Sequence, residues 1–156
     1  MDLIINQPSP DEYQELTDLL LASKNYWGYP DEWFDLWQEE VTAEDIEKRE
    51  FYVGRLAGEI IFYYSIHHLQ GTEYELEDCF VTPNHIGQGY GRVIFDHLLD
   101  QLQKRGCTEL KIISDPNAAG FYKQMGAVHT GYHPSLPEGR KLPILILTLP
   151  WAQVST

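Results

Sequence analysis

The sequence is short of positive charge. Its 156 residues carry 24 Asp and Glu against 11 Lys and Arg, a formal net charge of −13. Phosphate backbones demand a basic footprint, so no nucleic-acid partner is expected. Cysteine is scarce as well: Cys79 and Cys107 are the only two, and they follow no metal-ligand spacing. Both lie among apolar neighbours, which suits buried free thiols better than a disulfide or a nucleophile. Long apolar runs are missing too; Leu142 to Leu149 falls far below the roughly 20 residues needed to cross a bilayer as a helix. The first residues, Met1-Asp2-Leu3-Ile4-Ile5, lack the basic start and long apolar stretch of a signal peptide. A soluble, cytoplasmic protein with no membrane partner is therefore expected. Repeats, low-complexity tracts and linkers are absent, which predicts one domain over residues 1–156.

What is present is apolar and aromatic: 43% of residues are hydrophobic and 13% are Phe, Trp or Tyr. The acidity is concentrated in residues 1–50, where 14 acidic side chains face 3 basic ones, leaving −11. Solvated helix faces account for such a surplus, and it can also attract cationic substrates. Asp2 to Gln7 reads as a first strand. Ser9-Pro10-Asp11-Glu12 then combines a cap, a first-turn proline and acids at the positive dipole end of a helix. Leu16, Leu19 and Leu20 supply helical spacing. Asp31 caps a second helix carrying Trp33, Phe34 and Trp37, and Thr42-Ala43-Glu44-Asp45 resembles a capping box. From Phe51 the pattern turns to strands: Phe51–Leu56, Ile60–Leu69 and Glu73–Val81. A helix follows the glycines and is capped at Gly106. Glu109–Ile113 is a strand, Asp115-Pro116-Asn117 opens a helix, and strands Ala127–Tyr132 and Leu142–Leu149 close the chain. The fold class is α/β with a mixed sheet.

The most informative local feature is His85-Ile86-Gly87-Gln88-Gly89-Tyr90-Gly91-Arg92. Glycines at 87, 89 and 91 remove Cβ atoms and permit positive φ. The helix that follows presents unpaired N–H groups and the positive end of its dipole, which suits an anion. Arg92 adds a charge beside it. A P-loop would need Gly-Lys-Ser/Thr, and a dinucleotide fingerprint would need G-x-G-x-x-G; this spacing matches neither.

The stretch Glu75-Leu76-Glu77-Asp78-Cys79-Phe80-Val81-Thr82-Pro83, followed by that turn, resembles the fourth strand and CoA-binding loop of the GCN5-related N-acetyltransferase superfamily. Asp115-Pro116-Asn117-Ala118-Ala119-Gly120-Phe121-Tyr122-Lys123-Gln124-Met125-Gly126-Ala127 resembles that superfamily's Asn…Phe-Tyr…Gly-Ala segment. Ile86 departs from the pattern, since the family usually has Arg or Gln there; main-chain donors remain. The resemblance implies a sheet of about seven strands, mostly antiparallel, flanked by helices and splayed between its fourth and fifth strands. It also implies acetyl-CoA as donor, with no metal, and direct attack by the primary amine of a small molecule. A protein lysine or N-terminal acceptor, or a CoA-binding module without catalysis, are the alternatives. A homodimer is compatible with the sequence.

On that resemblance, Cys79, Phe80 and Val81 pair with pantetheine through the main chain. Gly87, Gln88, Gly89, Tyr90, Gly91, Arg92, Asn117 and Tyr122 complete the cofactor contacts. An alkyl amine with pKa about 10 is neutral in only about one molecule per thousand near pH 7. A base and an acid are therefore needed. Glu77 is expected as base and Tyr122 as acid, although Tyr122 can equally be read as a core phenol. Glu75 and Glu77 share a face of a regular strand, and Asp78 faces the other way unless a bulge re-aims it. A solvated edge or pairing with Arg or Lys would also explain these carboxylates. Glu75 and Asp78, with Trp27, Tyr29 and Trp33 from the aromatic segment, are the expected acceptor contacts. Rings at such spacing also suit a core, and they can bind a cation on their faces.

Overall fold

The computed structural model describes residues 2–150. Among these the order is β1 (Ile4–Asn6), α1 (Tyr13–Tyr26), α2 (Asp31–Trp37), α3 (Ala43–Lys48), β2 (Glu50–Leu56), β3 (Glu59–Gln70), β4 (Glu73–Val81), α4 (Tyr90–Lys104), β5 (Glu109–Ile113), α5 (Ala119–Gln124), β6 (Val128–Ser135) and β7 (Arg140–Thr148). The strands make one seven-stranded mixed sheet, ordered β1-β2-β3-β4-β5-β7-β6. Its β4–β5 pair is parallel, while β1–β2, β2–β3, β5–β7 and β6–β7 are antiparallel. This is the fold class expected from the sequence. No described helix is long and apolar enough to cross a membrane. The chain divides into two compact units: residues up to Ile66 with Asp78–Ile94, and His67–Glu77 with the residues from Phe95 onward.

In the first unit, β1 pairs with β2 and β2 with β3. A 3-10 turn, Pro10–Glu12, precedes α1. Here the Ser9 backbone N–H donates to the Glu12 carboxylate at 2.9 Å, the return half of a capping box. Thr42 and Asp45 make the reciprocal pair at α3, with bonds of 3.1 and 2.9 Å. Leu16, Leu19 and Leu20 of α1 are buried with Val41, Ile46, Phe51, Val53 and Tyr63, and Ile60 and Phe80 pack against this cluster. The i, i+3, i+4 leucine spacing thus became the buried stripe of α1. Arg55 grips Glu12 through two parallel bonds of 2.8 and 2.7 Å, tying β2 to the start of α1.

One glycine of this unit is required by packing. A Cβ at Gly54 would lie 2.3 Å from the tip of the Phe62 ring, its cross-strand partner. The register slips beside it, between Gly54 and Arg55, as a bulge does. Phe62 is fully buried, and its ring lies 6.2 Å from that of Tyr90 at the start of α4. The missing side chain at Gly54 therefore seats a ring that abuts the glycine turn.

In the second unit, the β4–β5 ladder covers Glu73–Leu76 against Glu109–Ile112, and β4 itself runs on to Val81. β7 lies between β5 and β6. Phe95, Leu98, Leu99 and Leu102 of α4 are buried, as the sequence spacing implied. Gly106 adopts φ 69° past the end of α4, and the Cys107 N–H donates to the Leu102 carbonyl at 3.1 Å. Three elements differ from expectation. The helix expected from Asp115 starts at Ala119, because the Asp115 carboxylate accepts from both the backbone and side-chain N–H of Asn117, at 2.8 and 2.9 Å. That Asx turn holds the chain in a loop first. The last two strands also have other bounds than expected: β6 runs on through Pro134, which reads locally as a breaker, to Ser135, and β7 begins two residues earlier at Arg140.

Candidate active site

The glycine turn joins β4 to α4. After Val81, Thr82 anchors the strand end by donating its N–H to the Ile61 carbonyl at 2.8 Å. Pro83–His85 form one 3-10 turn, and the His85 Nδ1 lies 2.8 Å from the Thr82 hydroxyl. The His85 ring meets Tyr90 edge-on at 5.7 Å. Gly87 and Gly89 adopt φ 82° and 89°, and nothing lies within 4 Å of a Cβ built on either. Gly91, by contrast, lies inside the first turn of α4 and needs no left-handed conformation. Gln88 donates its side-chain amide to the Asn84 carbonyl at 2.9 Å, so it braces the turn. Arg92 sits half-buried in the first turn of the 15-residue α4. The result is a left-handed turn, uncrowded at both glycines, leading into a helix N-terminus: the geometry of an anion cradle.

β4 carries the expected carboxylates and pantetheine-pairing residues. Cys79, Phe80 and Val81 are all half-buried. Asp78 is paired with Arg49 at 3.4 Å, and the same guanidinium donates to the Ser65 hydroxyl at 3.0 Å and reaches Asp45 at 4.0 Å. Glu77, in the second unit, faces the His67 Nδ1 at 3.7 Å. Glu75 is half-buried and opposite Lys111 in the parallel register. Asp78 and Glu77 thus meet different groups, a guanidinium and an imidazole.

Four rings form a cluster around α2. Tyr29 stacks on Trp33 at 5.7 Å and meets Trp37 edge-on at 5.4 Å; Trp37 also meets Trp33 at 6.0 Å and Phe34 at 5.4 Å. Trp27 is 45% exposed and set edge-on to Tyr26 at 4.9 Å. Sequence reasoning missed Lys24, whose ammonium lies 4.5 Å over the Trp37 ring and 5.9 Å from the Phe80 centroid, paired with Glu39. It also missed Tyr63, which is fully buried with a hydroxyl that has no hydrogen-bond partner. Burial, and then the carboxylates of Asp78 and Glu39, push this phenol well above its ordinary pKa, so it stays protonated. No local pattern distinguishes either residue.

The second unit holds the other motif. Tyr122 lies in α5 and is 6% exposed, its ring 5.5 Å from Phe121, which itself meets Phe95 at 6.1 Å. Its carbonyl accepts from Ala127 at 3.0 Å, closing the helix at Gly126. Asn117 is exposed in the Asx turn before α5.

Comparison with known proteins gives these features a frame. The profile described as the acetyltransferase (GNAT) family matches residues 13–127. Streptothricin acetyltransferase of Streptomyces lavendulae is 30% identical over 118 residues, 71% of this chain and 61% of that protein. The ribosomal protein bS18-alanine N-acetyltransferase of Escherichia coli K12 is 32% identical over 85 residues, 50% of this chain and 56% of that protein. The chain therefore spans 56–61% of the length of these curated relatives. Among solved structures, a GCN5-related N-acetyltransferase from Rhodopseudomonas palustris superposes with TM-score 0.78 at 18% identity, covering 96% of this chain and 97% of that one. The PaiA N-acetyltransferase of Thermoplasma acidophilum, solved in complex with coenzyme A, gives 0.73 at 17% identity, with 95% and 99% covered. At those identities the likeness is one of fold. The sequence profile goes further, and by it the chain belongs to the acetyltransferase (GNAT) family.

Proposed function

We propose that this protein is an N-acetyltransferase that moves an acetyl group from acetyl-CoA to a primary amine of a small molecule by direct attack. The observation that carries the reading is the turn through Gly87 and Gly89, left-handed at both and uncrowded where their side chains would be. Main-chain N–H groups there and at the start of α4, with Arg92, suit a CoA pyrophosphate. Main-chain groups of Cys79, Phe80 and Val81 would hold the pantetheine, with Asn117 and Tyr122 as further contacts. Acetyl-CoA supplies the reactive thioester. Glu77 would take the proton from the acceptor ammonium, directly or through one water, with His67 holding its carboxylate in place. The Tyr122 hydroxyl would give a proton to the departing thiolate.

Streptothricin, named for the first relative, is a small-molecule acceptor and favours this reading. The second relative acts on the alanine of a ribosomal protein, which favours a protein N-terminus as acceptor instead. Release of CoA with a panel of small amines and an Ala-first peptide separates the two. Binding of acetyl-CoA without release on any acceptor would refute catalysis. The turn has its own test: Gly89→Val forces a branched side chain into φ 89° and should weaken acetyl-CoA binding at least about tenfold. Unchanged affinity by calorimetry would remove the turn as the pyrophosphate site.

A further inference from the structure

The ammonium of Lys24 occupies a site built for a cation. Its side chain is only 14% exposed at the C-terminal turn of α1, above the Trp37 face, near the Phe80 ring and paired with Glu39. Beside Phe80, ring to ring at 5.8 Å, is Tyr63, whose buried hydroxyl has no partner and is influenced by the Glu39 and Asp78 carboxylates. A buried polar atom left unsatisfied is uncommon in native structures, and this hydroxyl oxygen can accept a hydrogen bond from an ammonium. Lys24 is also the easily displaced member of the group. Its long side chain loses about 2 kcal/mol of rotamer freedom when held, which offsets much of what a ring face and one carboxylate return. Arg49, in contrast, is tied to Ser65, Asp78 and Asp45 together.

We propose that Trp37, Phe80, Glu39 and Tyr63 form an alkylammonium cage, held by Lys24 in the ligand-free protein and taken over by a protonated amine of the acceptor. This rests on the acetyl-transfer reading, which puts the donor arm along Cys79–Val81 and so beside Phe80. A cage of ring faces and carboxylate stabilises the charged form and raises an amine's pKa. It is therefore suited to an amine that stays protonated, whereas the attacking amine must be neutral. The acceptor then carries two amines, one anchored in the cage and one acetylated. Linear α,ω-diamines are the simplest members of that class.

The test uses 1,5-diaminopentane against pentane-1,5-diol by calorimetry without acetyl-CoA, and against 1-aminopentane by CoA release. The diamine should bind about tenfold more tightly than the uncharged diol, the worth of a desolvated cation on ring faces. Lys24→Ala, which empties the cage, should tighten the diamine by a further factor of about ten, and Glu39→Gln on that background should abolish the gain. Tyr63→Phe should leave the fold as stable or more so, since it removes an unsatisfied hydroxyl, yet weaken the diamine severalfold. Equal affinities for the diamine and the diol, no binding of the diamine to Lys24→Ala, or unchanged diamine affinity in Tyr63→Phe would each overturn the cage. Diamine binding in the expected pattern without CoA release would refute acetyl transfer and keep the cage. Equal CoA release with both amines, unaffected by Lys24→Ala, would do the reverse.

Discussion

Gly54→Ala is the perturbation that most directly links the sheet to the glycine turn. The added methyl would lie 2.3, 2.4 and 2.7 Å from three atoms of the Phe62 ring. Carbon atoms rest at about 3.5–4.0 Å, so the ring must retreat by about 1 Å or more. Phe62 is fully buried, and the Tyr90 ring stands 6.2 Å away. Overpacking of this kind costs about 2–3 kcal/mol, which for a chain of this length lowers Tm by about 4–12 °C. Because Tyr90 opens α4, acetyl-CoA affinity should fall as well, though by less than in Gly89→Val. Thermal unfolding followed by circular dichroism measures the first effect and calorimetric titration the second. On a Phe62→Leu background the Gly54→Ala penalty should shrink by about 1 kcal/mol, since the clashing atoms are gone. Gly120→Ala is the control: it lies within α5 with nothing within 4 Å of a Cβ, and should stabilise by about 0.5–1 kcal/mol. A Tm for Gly54→Ala within about 1 °C of the parent would refute the close-packing argument.

Two further outcomes follow from named pairs. The Arg55 guanidinium holds the Glu12 carboxyl down at about 2, against 4.5 unperturbed. A depressed carboxyl contributes stability above pH 4.5 and loses it as pH falls toward 2, so the parent should lose about 1–2 kcal/mol across that window after allowance for solvent screening. Glu12→Gln should show a flatter profile there in urea unfolding at stepped pH; parallel curves would dismiss the pair as a source of stability. Tyr122→Phe should lower turnover at least about tenfold with acetyl-CoA affinity kept. Unchanged kcat would leave Tyr122 as packing within α5.

Much of the architecture was legible in local sequence because local interactions made it. The Ser9…Glu12 and Thr42…Asp45 caps, the leucine stripe of α1, the glycine turn and the apolar face of α4 each depend on residues within a few positions of one another. The departures occurred where local signals competed. At α5 the Asp115–Asn117 bonds delayed a helix that the next residues would otherwise begin earlier. At β6, ladder pairing carried the strand on through Pro134.

The sequence by itself carried the two motifs that resemble the family, the glycine turn that is left-handed at Gly87 and Gly89, and the acidic bias of the first 50 residues, the last two read from short spacing and composition. Only the tertiary structure decided which charges meet. Lys24 and Glu39 are 15 positions apart, Arg49 and Asp78 are 29, and Glu12 and Arg55 are 43. No periodicity selects those pairs from the other acids and bases. Folding brings them together through the sheet register and the packing of α1 and α2, and hydrophobic burial sets both without regard to which charge lands beside which. The same packing buried the Tyr63 hydroxyl away from any hydrogen-bond partner, which no local pattern in the sequence announces.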